Sequence, residues 1–192
     1  MMRSTTSEGF FEAMYRADQD PWNFTGSDYE LRRYHAVVAA LGQQRIHFAV
    51  EPGCSVGVLT EMIAGRCDRV LAIDISPTAV ERAALRCARF PHVSVTHQSL
   101  TDVTPHDADL LLLCEVGYYF EPAALQQLTA AYIEALAPGA TVLACHWLGH
   151  SPDHLMHGDQ VHQILHGMPG LVHEFAERER EFRIDRWRKA TP

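Results

Sequence analysis

The sequence predicts an α/β fold: a seven-stranded, mostly parallel sheet that ends in an antiparallel hairpin, with helices on both faces. Three observations carry this. Short apolar runs alternate with helical stretches from residue 45 to residue 145, the pattern of βα units joined by right-handed crossovers. The first run is followed by a glycine turn, Glu51-Pro52-Gly53-Cys54-Ser55-Val56-Gly57, that opens a helix. Near the end, strand-like runs at 171–175 and 182–184 flank the short charged stretch ERERE, which cannot hold a crossover helix, so the two pair antiparallel.

The 192 residues suit one domain, in which 1–44 form a helical cover and 45–192 the sheet core. Phe10, Phe11, Met14 and Tyr15 recur at helical spacing, so a helix starts near Ser7. DPWNFTGSD is turn-rich, and Asp28 is expected to cap a helix that runs to Leu41 and stops at Gly42. The first strand covers 46–50, and its helix reaches Ala64. The second covers 70–73, after which Ser76 caps and Pro77 opens a helix to about Arg86. A third strand covers 93–96. The fourth, 108–113, is nearly all apolar, as a strand covered on both faces should be. Pro122 opens a helix that ends near Ala137, and 140–145 is the fifth strand.

Composition excludes several function classes. Sixteen Lys+Arg stand against 24 Asp+Glu, a net charge of −8, which argues against nucleic acid or an anionic membrane as main partner. The longest apolar run, around 110–114, is too short to cross a bilayer. Five cysteines with no C-x-x-C pair read as reduced thiols, and the N-terminus lacks the apolar segment of a secretory signal, so a cytoplasmic protein is expected. Seven of the twelve histidines (His146, His150, His154, His157, His162, His166 and His173) fall in the last quarter of the chain. The spacings of His146, His150 and His154, and of His162 and His166, suit metal ligands on a helix. Gly149, Pro152 and Gly158 interrupt such a helix, and no cysteine or H-E-x-x-H accompanies it, so no metal site is expected.

The chemistry is read from the glycine turn. Gly53 allows a tight turn, and Gly57 allows its helix to pack close to the sheet. Asp74 lies 21 residues after Gly53, where an acid accepts hydrogen bonds from a ribose. Three details favour S-adenosylmethionine over NAD. The turn lacks G-x-G-x-x-G, Glu51 at the strand end suits a cation better than a pyrophosphate, and a hairpin replaces a second mononucleotide half. Gly53-Cys54-Ser55-Val56-Gly57 also matches G-x-S-x-G, which would make Ser55 the nucleophile of a serine hydrolase. Against this, the motif follows the first strand, no HGGG-like segment precedes it, and the chain is short for that fold.

The segments EPGCSVG, LAIDIS, LLLCEVGYYF and LAPGATVLACHWLGH resemble class I S-adenosylmethionine-dependent methyltransferases. DPWNFTGSDYELRRYH, HWLGHSPDH, GDQVHQIL and EFRIDRWR are similar to the NodS-like branch, whose namesakes N-methylate the free amine of a chitooligosaccharide. The resemblance covers nearly the whole chain. It implies a Rossmann-like fold, S-adenosylmethionine as cofactor with S-adenosylhomocysteine as product, and an amino-sugar or chitooligosaccharide-like acceptor. Another small molecule methylated on oxygen or nitrogen is the alternative. It further implies that Glu51, Gly53, Cys54 and Gly57 form the cofactor turn and that Asp74, with Ile75, holds the ribose. Gln98, Ser99 and Leu100 would lie along the adenine, and Glu115 and Val116 beside the cofactor. Trp22 and Arg33 would cover it, Arg33 pairing with the methionine carboxylate. Two departures stand out: Ser55 replaces a common glycine, and Gln98 and Ser99 occupy the usual place of an acid. At the sheet's C-terminal edge, Glu115 and Tyr118 are expected to orient the amine, beside Tyr119, with His146 as base.

Overall fold

The computed structural model describes residues 5–191. The seven strands follow the order β3-β2-β1-β4-β5-β7-β6 in one mixed sheet. The chain divides into two compact units, one spanning Ser7–Val103 and the other running from Thr104 onward together with Thr5 and Thr6.

The N-terminal unit contains α1 (Glu8–Ala17), α2 (Asp28–Ala40), β1 (Ile46–Pro52), α3 (Val58–Ala64), β2 (Cys67–Asp74), α4 (Pro77–Cys87) and β3 (Val93–His97). Its three strands are parallel, with Val70 opposite Ala49 on one side and Val93 on the other. Ala49, Val50, Val70, Ala72 and Ile73 are fully enclosed, as strands covered on both faces require. Ser76 caps α4 by accepting from the Ala79 amide at 3.1 Å, with Pro77 in the first turn as expected. The cap of α2 is Ser27 and not Asp28. Ser27 keeps an extended backbone and accepts from the Glu30 amide, while Asp28 lies inside the first turn, where its charge complements the helix dipole.

The C-terminal unit contains β4 (Leu110–Cys114), α5 (Pro122–Ala135), β5 (Thr141–Trp147), α6 (Gly158–His166), β6 (Leu171–Arg178) and β7 (Phe182–Lys189). β4 and β5 are parallel, and all of β4 is buried. The hairpin β6–β7 is present, and its second strand inserts antiparallel beside β5, leaving β6 at the edge. Helix α6 was not legible in the sequence because histidine caps it. His157 Nδ1 accepts from the Asp159 amide at 3.2 Å, and Gln160 Oε1 accepts from the His157 amide at 2.9 Å. Histidine lies outside the usual Ser/Thr/Asp/Asn set. All five cysteines are buried and free. No described helix is long and apolar enough to cross a membrane.

Candidate active site

In the N-terminal unit, β1 delivers Glu51 and then turns back onto the end of β2. The Gly53 and Cys54 amides both donate to the Ile73 carbonyl, at 2.7 and 2.9 Å. Gly53 at φ +76° is in the left-handed region that this turn needs. Ser55 shares that region at φ +51°, a strained placement for a residue with a side chain. The strained peptide is held by Asp74, whose Oδ2 accepts from the Ser55 amide at 2.9 Å and whose Oδ1 accepts from the Ser76 amide at 2.9 Å. Gly57 permits close packing, but against a helix and not the sheet. A Cβ there would lie 3.0 Å from Ala83 Cα in α4.

Two carboxylates are thus enclosed at the ends of neighbouring strands. Burial pushes Asp74 up to about 6 against its backbone hydrogen bonds. Burial also pushes Glu51 up to about 7, opposed by the Thr60 hydroxyl, which donates to it at 2.6 Å, and reinforced by the charge of Asp74. Cys54 packs into a small cluster with Ala72, Ala83 and Val95, and burial raises its thiol pKa, so this position serves the turn through its backbone.

Helix α1 is bolted to this turn by residues the sequence reading did not single out. Glu12 accepts from Ser76 Oγ at 2.7 Å, Thr78 Oγ1 at 2.8 Å and the Thr78 amide at 3.2 Å. The Ser76 hydroxyl is the chief reason its carboxyl is held down to about 2. Tyr15 donates its hydroxyl to Ser55 Oγ at 2.6 Å. A nucleophilic serine needs a histidine at that position, and none bonds to Ser55 among the described residues. Trp22 stacks on Phe24 at 5.7 Å and meets Tyr15 at 5.3 Å. Arg33 is fully buried in α2. Its guanidinium bonds to Glu30 and lies 4.8 Å from the Tyr34 ring centroid. After β3, the Gln98 amide donates to the Asp74 carbonyl at 3.1 Å, Ser99 caps a short turn, and Leu100 is buried. Ile75 is half-buried beside Asp74.

In the C-terminal unit, Glu115 follows β4 in the left-handed region at φ +59°. Its amide donates to the Cys145 carbonyl at 2.9 Å, which holds the strained turn against β5. Glu115 Oε1 accepts from the Trp147 amide at 2.7 Å, and Oε2 accepts the Tyr118 hydroxyl at 2.5 Å. The structure thus brings Glu115 and Tyr118 together. Val116 is buried and leads into a short turn, Gly117–Tyr119. His154 stacks on the Tyr118 ring at 3.8 Å, and burial lowers its pKa. Burial, with the charges of Asp153 and Glu115, raises the Tyr119 pKa far enough to keep its hydroxyl neutral.

His146 is fully buried at the head of a polar chain. Its Nε2 accepts from the Gly117 amide at 3.1 Å, so its proton resides on Nδ1, which faces His162 Nε2 at 3.2 Å. His162 then carries its proton on Nδ1 and donates to Asp185 Oδ2 at 2.7 Å. Burial lowers the His162 pKa and keeps the ring neutral, against the pull of Asp185. Asp185 also accepts from Arg183 at 2.6 Å and from His173 at 2.7 Å. Burial raises its pKa, but the bonds from His162 and Arg183 more than reverse that and leave it at about 2. Both ring nitrogens of His146 are therefore committed to protein partners, an arrangement that holds the Gly117–Tyr119 turn in place. The link from His146 to His162 and Asp185 is not legible in the sequence, because the three meet only through tertiary packing.

Comparison with known proteins sets this geometry in a family. The model of the family Nodulation protein S (NodS) matches residues 12–144. Nodulation protein S of Bradyrhizobium diazoefficiens is 33% identical over 134 residues, 66% of this chain and 62% of the relative. The Rhizobium tropici protein is 31% identical over 126 residues, 64% of this chain and 53% of the relative. The chain thus spans between half and two thirds of the length of these curated relatives. The crystal structure of N-methyltransferase NodS from Bradyrhizobium japonicum WM9, in complex with S-adenosylhomocysteine, superposes with a TM-score of 0.82. It shares 24% identity, over 93% of this chain and 97% of that one.

Proposed function

Because the chain belongs to the nodulation protein S family, we propose that it is an S-adenosylmethionine-dependent methyltransferase acting on the free amine of an amino sugar or chitooligosaccharide-like acceptor. The observation that carries the reading is the pair of buried acids at the β1 and β2 ends. Among the described residues no cationic side chain bonds to Glu51 or Asp74, and burial pushes both toward neutrality. A positively charged ligand relieves that cost, and a pyrophosphate would add to it.

The residues present fit the cofactor. It supplies a methyl group activated on a sulfonium. Asp74 holds the turn closed through the Ser55 and Ser76 amides and keeps further lone pairs for ribose hydroxyls. Gly53 gives the turn a left-handed residue, and Gly57 lets α4 pack against it. Ile75, Gln98, Ser99 and Leu100 border the base, and Trp22 and Arg33 cover the methionine end.

In the C-terminal unit, Glu115 and Tyr118 bind and orient the acceptor amine, with Tyr119 and His154 as its aromatic surroundings. A neutral amine is the nucleophile, so Glu115 takes the proton lost by the ammonium form, and alignment supplies most of the acceleration, up to roughly 7–11 kcal/mol. His146 acts through the Gly117 turn as a positioning residue. The five buried free thiols suit a reducing compartment, and we place the enzyme in the cytoplasm.

Calorimetry with S-adenosylhomocysteine tests the cofactor assignment, and no binding at millimolar ligand sinks it. Mass-spectrometric turnover on deacetylated chitooligosaccharides against simple phenols then tests the acceptor. Turnover on phenols alone moves the reading to oxygen methylation.

A further inference from the structure

We propose that His166, His173 and Asp185 form a binding site for a divalent first-row transition metal, zinc or its nitrogen-seeking neighbours cobalt and nickel. The three residues offer ligand atoms that all lie within 4.8 Å of one another. They come from three elements: His166 ends α6, His173 lies on β6, and Asp185 lies on β7. Two imidazoles and one carboxylate, with positions left for water, are a donor set that such metals favour over calcium or magnesium.

The cluster is built as a metal site is built. Asp185 is fully buried and forms a fixed floor, while His166 and His173 are open to solvent and give an ion its way in. One carboxylate oxygen, Oδ2, is anchored from behind by His162 at 2.7 Å and Arg183 at 2.6 Å. Hydrogen bonds of this kind orient a ligating carboxylate. The other oxygen, Oδ1, is turned toward His173 Nε2 at 2.7 Å. The charge of Arg183 is shared with Asp159, which it reaches at 3.3 Å. A register shift between His173 and Phe175 interrupts the β6–β7 ladder at this point, and such bulges re-aim side chains. The His166 and His173 rings then lie 4.4 Å apart at 56°. The His166 ring nitrogens make no hydrogen bond among the described residues.

Binding needs no co-reactant. His173 adopts the tautomer with its proton on Nδ1, and its Nε2 lone pair turns from Asp185 to the ion. The single hydrogen bond to Oδ1 is exchanged for bonds from the ion to Oδ1, to His173 and to His166. Side-chain torsions of the two exposed imidazoles bring the donors to about 2.0–2.2 Å from the ion. The ion would pin α6 to the hairpin. The sequence spacing pointed to other sets, His146-His150-His154 and His162-His166, and only His166 of these takes part.

The test uses full-length untagged protein treated with a chelator and titrated with zinc chloride by calorimetry. One equivalent should bind with micromolar affinity, weakened about tenfold or more by His166→Ala and by His173→Ala, and unchanged by the exposed control His35→Ala. Zinc should raise the melting temperature of the parent protein and not that of the double variant. Cobalt should quench tryptophan emission, because Trp187 lies 5.9 Å from His166 and 5.6 Å from His173. Circular dichroism and retained S-adenosylhomocysteine binding check that the variants fold. No binding at millimolar zinc, or an affinity unchanged in both single variants, overturns the proposal. Neither outcome touches the methyltransferase reading.

Discussion

Glu51 and Asp74 in the N-terminal unit and Asp185 in the C-terminal unit are all buried carboxylates, yet their protons behave in opposite ways. Glu51 and Asp74 bond to a threonine hydroxyl and to backbone amides, neutral donors that do not offset the loss of water, so both are held near neutrality. Asp185 bonds to a guanidinium and two imidazoles, and it stays ionised far below the usual carboxylate range. Burial alone does not decide the state of an acid; the charge of its partners does. The first arrangement leaves room for a cation from outside. The second is held ionised by its own partners, and its Oδ1 is the oxygen assigned above to a metal ion.

The largest expected effect breaks the N-terminal half of this comparison. Asp74→Ala leaves the Ser55 and Ser76 amides without their acceptor at a strained turn and removes the lone pairs assigned to the ribose hydroxyls, so S-adenosylhomocysteine affinity should fall by about a hundredfold, the loss of two hydrogen bonds to a charged acceptor. Calorimetry reads this directly. Next, Glu115→Gln keeps the shape of the Tyr118 and Trp147 contacts but removes the proton acceptor. Turnover should fall by about 10²-fold, with cofactor affinity unchanged to within a small factor. An equal loss in both would move Glu115 from the acceptor to the cofactor.

Glu51→Gln separates stability from function. The folded-state pKa of Glu51, about 7, lies above its ordinary value of 4.5. Its contribution to stability is therefore full below 4.5 and is lost as pH rises through 7. The glutamine variant carries no such proton, so its melting temperature at pH 8 should exceed that of the parent. The gain is on the order of 1–3 kcal/mol, accompanied by weaker cofactor binding. A variant less stable than the parent at pH 8 contradicts this account. The smallest effect is a pH dependence. Affinity for the sulfonium form relative to S-adenosylhomocysteine should decline several-fold as pH falls through 7 and 6, where Glu51 and Asp74 take up protons. Titration calorimetry across that range checks it.

How much of the site could be read in advance depends on how local each feature is. The glycine turn, Asp74 at the end of β2, and the adjacent Glu115 and Tyr118 were legible because a strand followed by a turn places its next residues at the sheet edge. The His146–His162–Asp185 chain was not, because its members come from β5, α6 and β7 and meet only when those elements pack. Glu12 and Tyr15 were read as part of an amphipathic helix, and nothing in helical spacing says which partner a polar residue will find. Helix α6 was hidden by its histidine cap, and the cap of α2 shifted by one residue because Ser27 and Asp28 are both good caps.

The sequence by itself determined the parallel βα units, the hairpin and the glycine turn, since these follow from hydrophobic period, turn chemistry and connection length over short spans. Only the tertiary structure decided that β7 inserts beside β5 and that Ser55 and Glu115 sit in left-handed strain. It also decided which acids stay protonated and which histidines converge on Asp185. Those outcomes depend on burial and on partners distant in the chain, and the energy of a buried charge is set by what surrounds it in space.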